Sequence, residues 1–220
     1  MRITTSKENY LKAIAEAEAE GESVIAATLT RWLGVSAPAV TMAIRRLKRD
    51  GLIEVAADGK LTLTLAGREI ANRLLRRHYL IERMLTEVFG MEWYMVHDEA
   101  EQLEHAVSAD FERKLEEKLG SNTEYPHGHG LGLESQAHRR ERGLIPLDEL
   151  PEGEQATVIS IFERDRQLLQ SLDQVGIRPG SGLQLLERGS SATVKLRVNH
   201  RDVPVTQSAA SRVWVKRVYV

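Results

Sequence analysis

Apolar residues at Tyr10, Leu11, Ile14 and Ala15 recur near a helical period, with Ser6 available as an N-cap, and predict a first helix over about 7–20 that Gly21 ends. A short second helix follows over about 25–33. The tight turn Gly34-Val35-Ser36 then leads into a third helix, about 37–50, in whose first turn Pro38 is tolerated. This is the layout of a helix-turn-helix. Leu52-Ile53-Glu54-Val55 and Leu61-Thr62-Leu63-Thr64-Leu65 alternate apolar and polar residues around Asp58-Gly59, a strong hairpin signal that adds a β-wing. Beyond Ala66-Gly67 a long helical pattern covers about 68–89, and after the Gly90 break another covers about 94–119. Their apolar faces (Leu74, Ile81, Leu85; Leu103, Val107, Phe111, Leu115) exceed what one small wing domain buries, which predicts a dimer seam. Glycines at 120, 128, 130, 132 and 143 make 119–152 read as linker and loop. From Gln155 onward the β-rich runs 156–161, 183–186, 192–198 and 213–220 alternate with turns such as Arg178-Pro179-Gly180 and predict a small β-barrel. The expected fold is therefore mainly α with small β elements.

Composition narrows the function. With 220 residues and 42% hydrophobic positions the chain can build a real core, while no stretch approaches the about 20 apolar residues that a spanning helix needs. Met1-Arg2-Ile3-Thr4 opens no signal peptide, so a cytoplasmic location is expected. The absence of cysteine removes disulfides, thiol catalysis, Cys-ligated zinc and iron–sulfur clusters. A net charge of −2 hides an asymmetry: positions 26–83 carry eleven Lys/Arg against five acids, and positions 91–119 carry nine acids against three bases. An anionic partner suits the first segment and a cation the second.

In the third helix, Ser36, Ala37, Pro38, Ala39, Thr41 and Met42 occupy the first turns, from which a helix-turn-helix reads bases in the major groove. Ser36 and Thr41 can hydrogen-bond, whereas Pro38, Ala39 and Met42 suit thymine methyls. Arg45, Arg46, Lys48 and Arg49, with Lys60 near the hairpin tip, suit phosphates. The second constellation pairs His78 with Glu82 at i, i+4 and places His97, Glu101, Glu104 and His105 on the next predicted helix, where they fall within a fan of about 100°. Imidazole and carboxylate without thiolate suit Mn(II), Fe(II), Co(II), Ni(II) or Zn(II), and six ligands could hold two ions. His127 and His129, flanked by glycine in a loop, read as exposed more readily than as ligands. Phosphate loops, G-x-S-x-G elbows and H-E-x-x-H motifs are absent, so no enzyme is expected. A metal-dependent hydrolase using the His/Glu cluster, and a constitutive winged-helix DNA binder with structural metal, are the alternatives.

At Glu8-Asn9-Tyr10-Leu11-Lys12, Val35-Ser36-Ala37-Pro38-Ala39-Val40, Arg49-Asp50-Gly51-Leu52, Arg77-His78-Tyr79-Leu80-Ile81-Glu82-Arg83 and above all Val96-His97-Asp98-Glu99-Ala100-Glu101-Gln102-Leu103-Glu104-His105, the chain resembles the diphtheria-toxin-repressor family of metal-dependent transcriptional regulators. The resemblance implies a winged helix-turn-helix DNA-binding domain over 1–67, a helical metal-binding and dimerisation domain over 68–140, a linker over 141–152 and an SH3-like, FeoA-like barrel over 153–220. It implies an ancillary metal site at His78, Glu82 and His97, and a primary one at Glu101, Glu104 and His105. The family's first-helix ligand falls on Asn9, and Lys12 stands where one manganese subgroup has a Glu ligand. Barrel donors to the ancillary site fall near Glu163, Asp165 and Gln167, of which Gln167 is preferred. The implied function is a regulator, of repressor type, that senses Mn(II) or Fe(II) and binds a palindromic operator as a homodimer to control metal-homeostasis genes. Hard carboxylate oxygen at Glu101, where iron-type relatives place a thiol, favours Mn(II) slightly.

Overall fold

The computed structural model describes residues 3–120, 125–128, 133–189 and 192–218. Helix α1 (Thr5–Ala19) starts where the Thr4 hydroxyl accepts from the Lys7 N–H, so Thr4 rather than Ser6 is the cap. Helices α2 (Ala26–Leu33) and α3 (Ala37–Arg49) meet at Gly34, whose φ of +64° gives the chain its sharp reversal. Val40 and Leu47 anchor α3 on the core and leave its opposite face in solvent. Strands β1 (Ile53–Val55) and β2 (Leu61–Leu63) pair antiparallel as the wing. Helix α4 (Leu65–Glu87) presses directly on it: a Cβ on Gly67 would lie 2.0 Å from the Leu52 carbonyl oxygen, so only glycine fits.

The acidic segment departs from expectation. Instead of one helix over 94–119 there are two, α5 (Val96–Leu103) and α6 (Ala109–Leu119), and the turn between them contains Glu104 and His105. Ser108 accepts from the Phe111 N–H and starts α6 afresh, which is why the pattern breaks there. Leu74, Ile81, Leu85 and Leu115 are spent on packing inside the subunit, whereas Leu103 and Phe111, with Val88 and Phe89, remain exposed.

The segment read as loop holds α7 (Gln136–Glu141) and β3 (Leu144–Pro146), followed by a 3₁₀ turn at Leu147–Glu149. The C-terminal region comprises β4 (Gln155–Ile161), α8 (Arg166–Gln174), β5 (Gly182–Arg188), β6 (Thr193–Val198), β7 (Arg201–Thr206), α9 (Gln207–Ala210) and β8 (Val213–Val218). Six strands form one antiparallel sheet in the order β3-β8-β4-β5-β6-β7. The sheet is open rather than a closed barrel, its edges being the three-residue β3 and the proline-bearing β7. One core joins α1–α4 and the wing, another lies beneath the sheet and α8, and a small third one (Ile81, Leu85, Val96, Ala100) glues α4 to α5. Trp93, between α4 and α5, donates its indole N–H to Asp173 of α8 at 2.6 Å and so pins the sheet region to the helical region.

Candidate metal centre and nucleic-acid interface

Helix α3 presents the expected set to solvent: Ser36, Ala37, Pro38, Ala39, Thr41, Met42, Arg45, Arg46, Lys48 and Arg49 are all exposed, as is Lys60 on the wing. The Ser36 hydroxyl does not cap the helix, and the Thr41 hydroxyl donates to the Ala37 carbonyl, which leaves its oxygen as an outward acceptor. Among the described residues Arg45, Arg46 and Lys48 make no ion pair, while Arg49 reaches Asp50 at 3.2 Å. Unpaired guanidinium and ammonium groups along one face are what a phosphate backbone needs.

The metal candidates separate into two groups. In the first, His78 and Glu82 of α4 meet His97 of α5: His78 Nε2 lies 3.0 Å from both Glu82 Oε1 and His97 Nδ1. Two residues from outside the helices complete it. His127 Nδ1 is 3.3 Å from Glu82 Oε2 and 3.7 Å from Glu163 Oε2, and His97 Nδ1 is 3.8 Å from Glu163 Oε1. All five side chains are buried. Burial works against charge on His97, but the carboxylates of Glu101, Glu82 and Glu163 win and push it up to about 10. Glu82 is likewise held well below the usual carboxylate range, with burial outweighed by His127 and His78. The triads His78/His97/Glu163 and Glu82/His127/Glu163 each bring their donor atoms within 4.8 Å of one another. His127 Nε2 is buried without a hydrogen-bond partner. Imidazoles and carboxylates closed off from water with their donor atoms this close together fit a divalent ion.

The second group lies where α1 meets α5. His105 Nε2 is 2.6 Å from Asn9 Oδ1, and its Nδ1 is 2.9 Å from Glu8 Oε2. Glu104 turns instead to Lys12, whose fully buried ammonium donates to Glu104 Oε2 at 2.9 Å, sits 3.0 Å from His78 Nδ1, and has Glu101 and Glu16 at 3.8 and 3.9 Å. Burial would push that ammonium down, but Glu16, Glu104 and Glu101 hold it raised. Burial also opposes ionisation of Glu101 and Glu104, and their basic neighbours hold both below the carboxylate range. The four residues expected on one helix face thus spread: His97 faces the first group, Glu104 binds both Lys12 and, at 2.6 Å, His78 Nδ1, His105 faces α1 with Glu104 Oε1 3.6 Å away, and Glu101 stands between.

His127, expected as an exposed loop residue from its flanking glycines, is fully buried. The signal was Gly128, whose φ is +80° and whose Cβ would lie 1.8 Å from the Ile159 carbonyl oxygen, so that the loop packs against β4 and the His127 carbonyl accepts from the Ile161 N–H. His129 lies outside the described residues. Gln167 is exposed on α8, away from the cluster, and Asp165 caps that helix, whereas Glu163 of the same segment enters the cluster.

Three family models match the chain: "Iron dependent repressor, N-terminal DNA binding domain" over 2–61, "Iron dependent repressor, metal binding and dimerisation domain" over 64–130, and "FeoA domain" over 145–217. The iron-dependent repressor IdeR of Mycobacterium tuberculosis is 31% identical over 227 aligned positions, covering 98% of this chain and 99% of that protein. The diphtheria toxin repressor of Corynebacterium efficiens is 32% identical, covering 98% and 97%. Among solved structures, a manganese-dependent transcriptional repressor in complex with manganese superposes with a TM-score of 0.83 at 31% identity, covering 96% of this chain and all of that one.

Proposed function

The chain belongs to the family of iron-dependent and diphtheria toxin repressors and is a metal-dependent DNA-binding transcriptional repressor, and we propose that it senses Mn(II) or Fe(II) through the buried cluster. One observation carries the assignment of the site: His78, Glu82, His97, His127 and Glu163 converge from four separate segments, closed from water. A divalent ion held there supplies the positive charge that these carboxylates and imidazoles can share without protons. Glu101, Glu104, His105 and Asn9 form a second candidate position, which ties α1 to α5. The chain's own residues do the rest. His78 touches both groups, so a change in its protonation or orientation is felt by Lys12 and hence by α1. Helix α1 packs against α2 and α3, and its position sets the spacing of the two recognition helices in a homodimer that fits a palindromic operator of metal-homeostasis genes.

Ser36, Ala37, Pro38, Ala39, Thr41 and Met42 are assigned to base edges, and Arg45, Arg46, Arg49 and Lys60 to phosphates. The division into 1–67, 68–140, 141–152 and 153–220 belongs to the same proposal, supported by the three matched segments. The same proposal puts the protein in the cytoplasm, where operator DNA is, and reads it as a regulator and not an enzyme; the burial of His78, Glu82 and His127 supports that reading. No helix among the described residues is long and apolar enough to cross a membrane.

The test is selection of duplexes from a random-sequence pool by the Mn(II)-loaded full chain, followed by titration of the recovered duplex with and without Mn(II) or Fe(II) at fixed salt. Recovery of a palindrome bound tightly only with metal is expected. Failure to recover one, or affinity unchanged by chelation, refutes the reading.

A further inference from the structure

Arg164 follows directly on Glu163, a member of the buried cluster, yet its side chain runs to other parts of the molecule. Its Nη1 donates to Glu16 Oε2 of α1 at 2.8 Å and to Glu101 Oε1 of α5 at 3.0 Å, and its Nη2 donates to the Trp32 carbonyl at 3.3 Å. The guanidinium carbon lies 5.1 Å from the centroid of the Trp32 ring, and Phe162 meets the same ring edge-on at 6.3 Å. Trp32 is the penultimate residue of α2, two positions before the Gly34 reversal that launches α3. Glu16 is buried, and the hydrogen bond from Arg164 is the one its side chain accepts among the described residues. A single planar guanidinium therefore joins the start of the helix-turn-helix reversal, α1 and α5 to the strand end that supplies Glu163. Lysine, whose donors all sit on one nitrogen, lacks the planar two-nitrogen fork from which these three bonds diverge.

We propose that Arg164 is a positioning residue that couples the buried cluster to the recognition helix. Whatever fixes Glu163 also fixes its neighbour's backbone, steadies the guanidinium on Glu16 and Trp32, and so favours one placement of α3. Coupling of this kind is reciprocal, so a DNA-bound α3 in turn favours the ordered form of Glu163. The C-terminal sheet is then part of the switch and not an appendage. This inference rests on the reading of the buried cluster as the metal centre.

The experiment compares full-length wild type, Arg164→Ala and Arg164→Lys for Mn(II) stoichiometry and for affinity towards the selected duplex with and without Mn(II). Arg164→Ala is expected to bind at least as much Mn(II) as wild type while its metal-induced gain in DNA affinity falls at least about fivefold, the low end of ordinary allosteric couplings. Arg164→Lys should recover only part of that gain. A readout free of DNA is acrylamide quenching of the fluorescence that Trp32→Phe removes: Mn(II) should change it in wild type and not in Arg164→Ala. A variant with the full metal-induced gain in DNA affinity, or one that loses Mn(II) along with it, overturns the coupling. Should wild type show no metal-stimulated DNA binding, the repressor reading fails, and the Trp32 response alone decides this one, for or against. If Arg164→Ala fails to fold, Glu16→Gln removes the charge on the same bridge, and it must weaken the gain in the same direction.

Discussion

The buried cluster and the α1–α5 junction draw on the same residue types and differ in what balances their charge. Around Glu82 and Glu163 the available cations are the imidazoles of His78, His97 and His127, whose charge is a proton that can leave. Around Glu16, Glu101 and Glu104 imidazoles also take part, His97 beside Glu101 and His78 on Glu104, but two further cations, Lys12 and Arg164, are permanent and tethered. A metal entering the first region replaces protons, whereas at the second it would compete with two covalently attached side chains. The lesson is that a count of ligating residues does not rank metal sites; the protein's own counter-ions do. His78 belongs to both regions, one ring nitrogen facing each.

The comparison can be broken most decisively at Glu82. Glu82→Ala removes the carboxylate that contacts all three imidazoles of the first region, and loss of measurable Mn(II) binding by equilibrium dialysis is expected, together with loss of metal-dependent DNA binding. In the second region the large effect falls on stability. Glu104→Ala leaves the Lys12 ammonium buried without its nearest carboxylate and should cost about 3–5 kcal/mol in urea unfolding of the metal-free protein, while Lys12→Met combined with Glu104→Leu should recover most of that loss. If Glu104→Ala unfolds like wild type, the internal ion pair is not what holds α1 to the turn after α5.

His127→Ala sharpens the contrast at intermediate size. It should weaken Mn(II) binding by about 10–100-fold, the range for losing one supporting group of a metal site, with little change in the far-ultraviolet circular dichroism. Gln167→Ala, on the exposed side of α8, should leave the affinity unchanged. Equal effects of the two would remove His127 from the site.

The pH dependence gives the smallest and most graded effect. His97 is raised in the folded state to about 10 against an unfolded value near 6.5, so its stabilisation is complete below about pH 6.5 and disappears as pH rises through about 10. Glu82, Glu101 and Glu104 are lowered, so theirs is present above about pH 4.5 and disappears as pH falls through their depressed values. The metal-free protein should show its highest melting temperature between about pH 4.5 and 6.5. Because the imidazolium proton must leave before a metal enters, Mn(II) affinity should rise with pH over the neutral range, and buffer-dependent calorimetry would read the proton release. A pH-independent affinity would show that His97 does not ligate.

Much of this was legible in the residues. The helix-turn-helix followed from apolar spacing and Gly34, and the wing from alternation around Asp58-Gly59, because both are local patterns read within one or two turns of chain. The candidate set His78, Glu82, His97, Glu101, Glu104 and His105 was also visible as types and spacings. Its grouping was not, since a fan drawn on one ideal helix assumes that the helix continues, and α5 ends at Leu103. The alternating strand runs predict a barrel where the sheet is open, because strands are local patterns whereas closure depends on whether β3 and β7 meet.

What the sequence determined by itself is the chemistry on offer: a basic reading helix, imidazole and carboxylate without thiol, and a β-rich C-terminal third. The tertiary structure decided which carboxylate meets which cation. It brought His127 and Glu163 to Glu82 across 45 and 81 positions of chain, sent Gln167 outward, and set Lys12 against Glu104 and Arg164 against Glu101. The physical reason is that a buried charge is stabilised only by the atoms that surround it within a few ångströms, and those neighbours are chosen by packing between distant segments, which spacing along the chain does not encode.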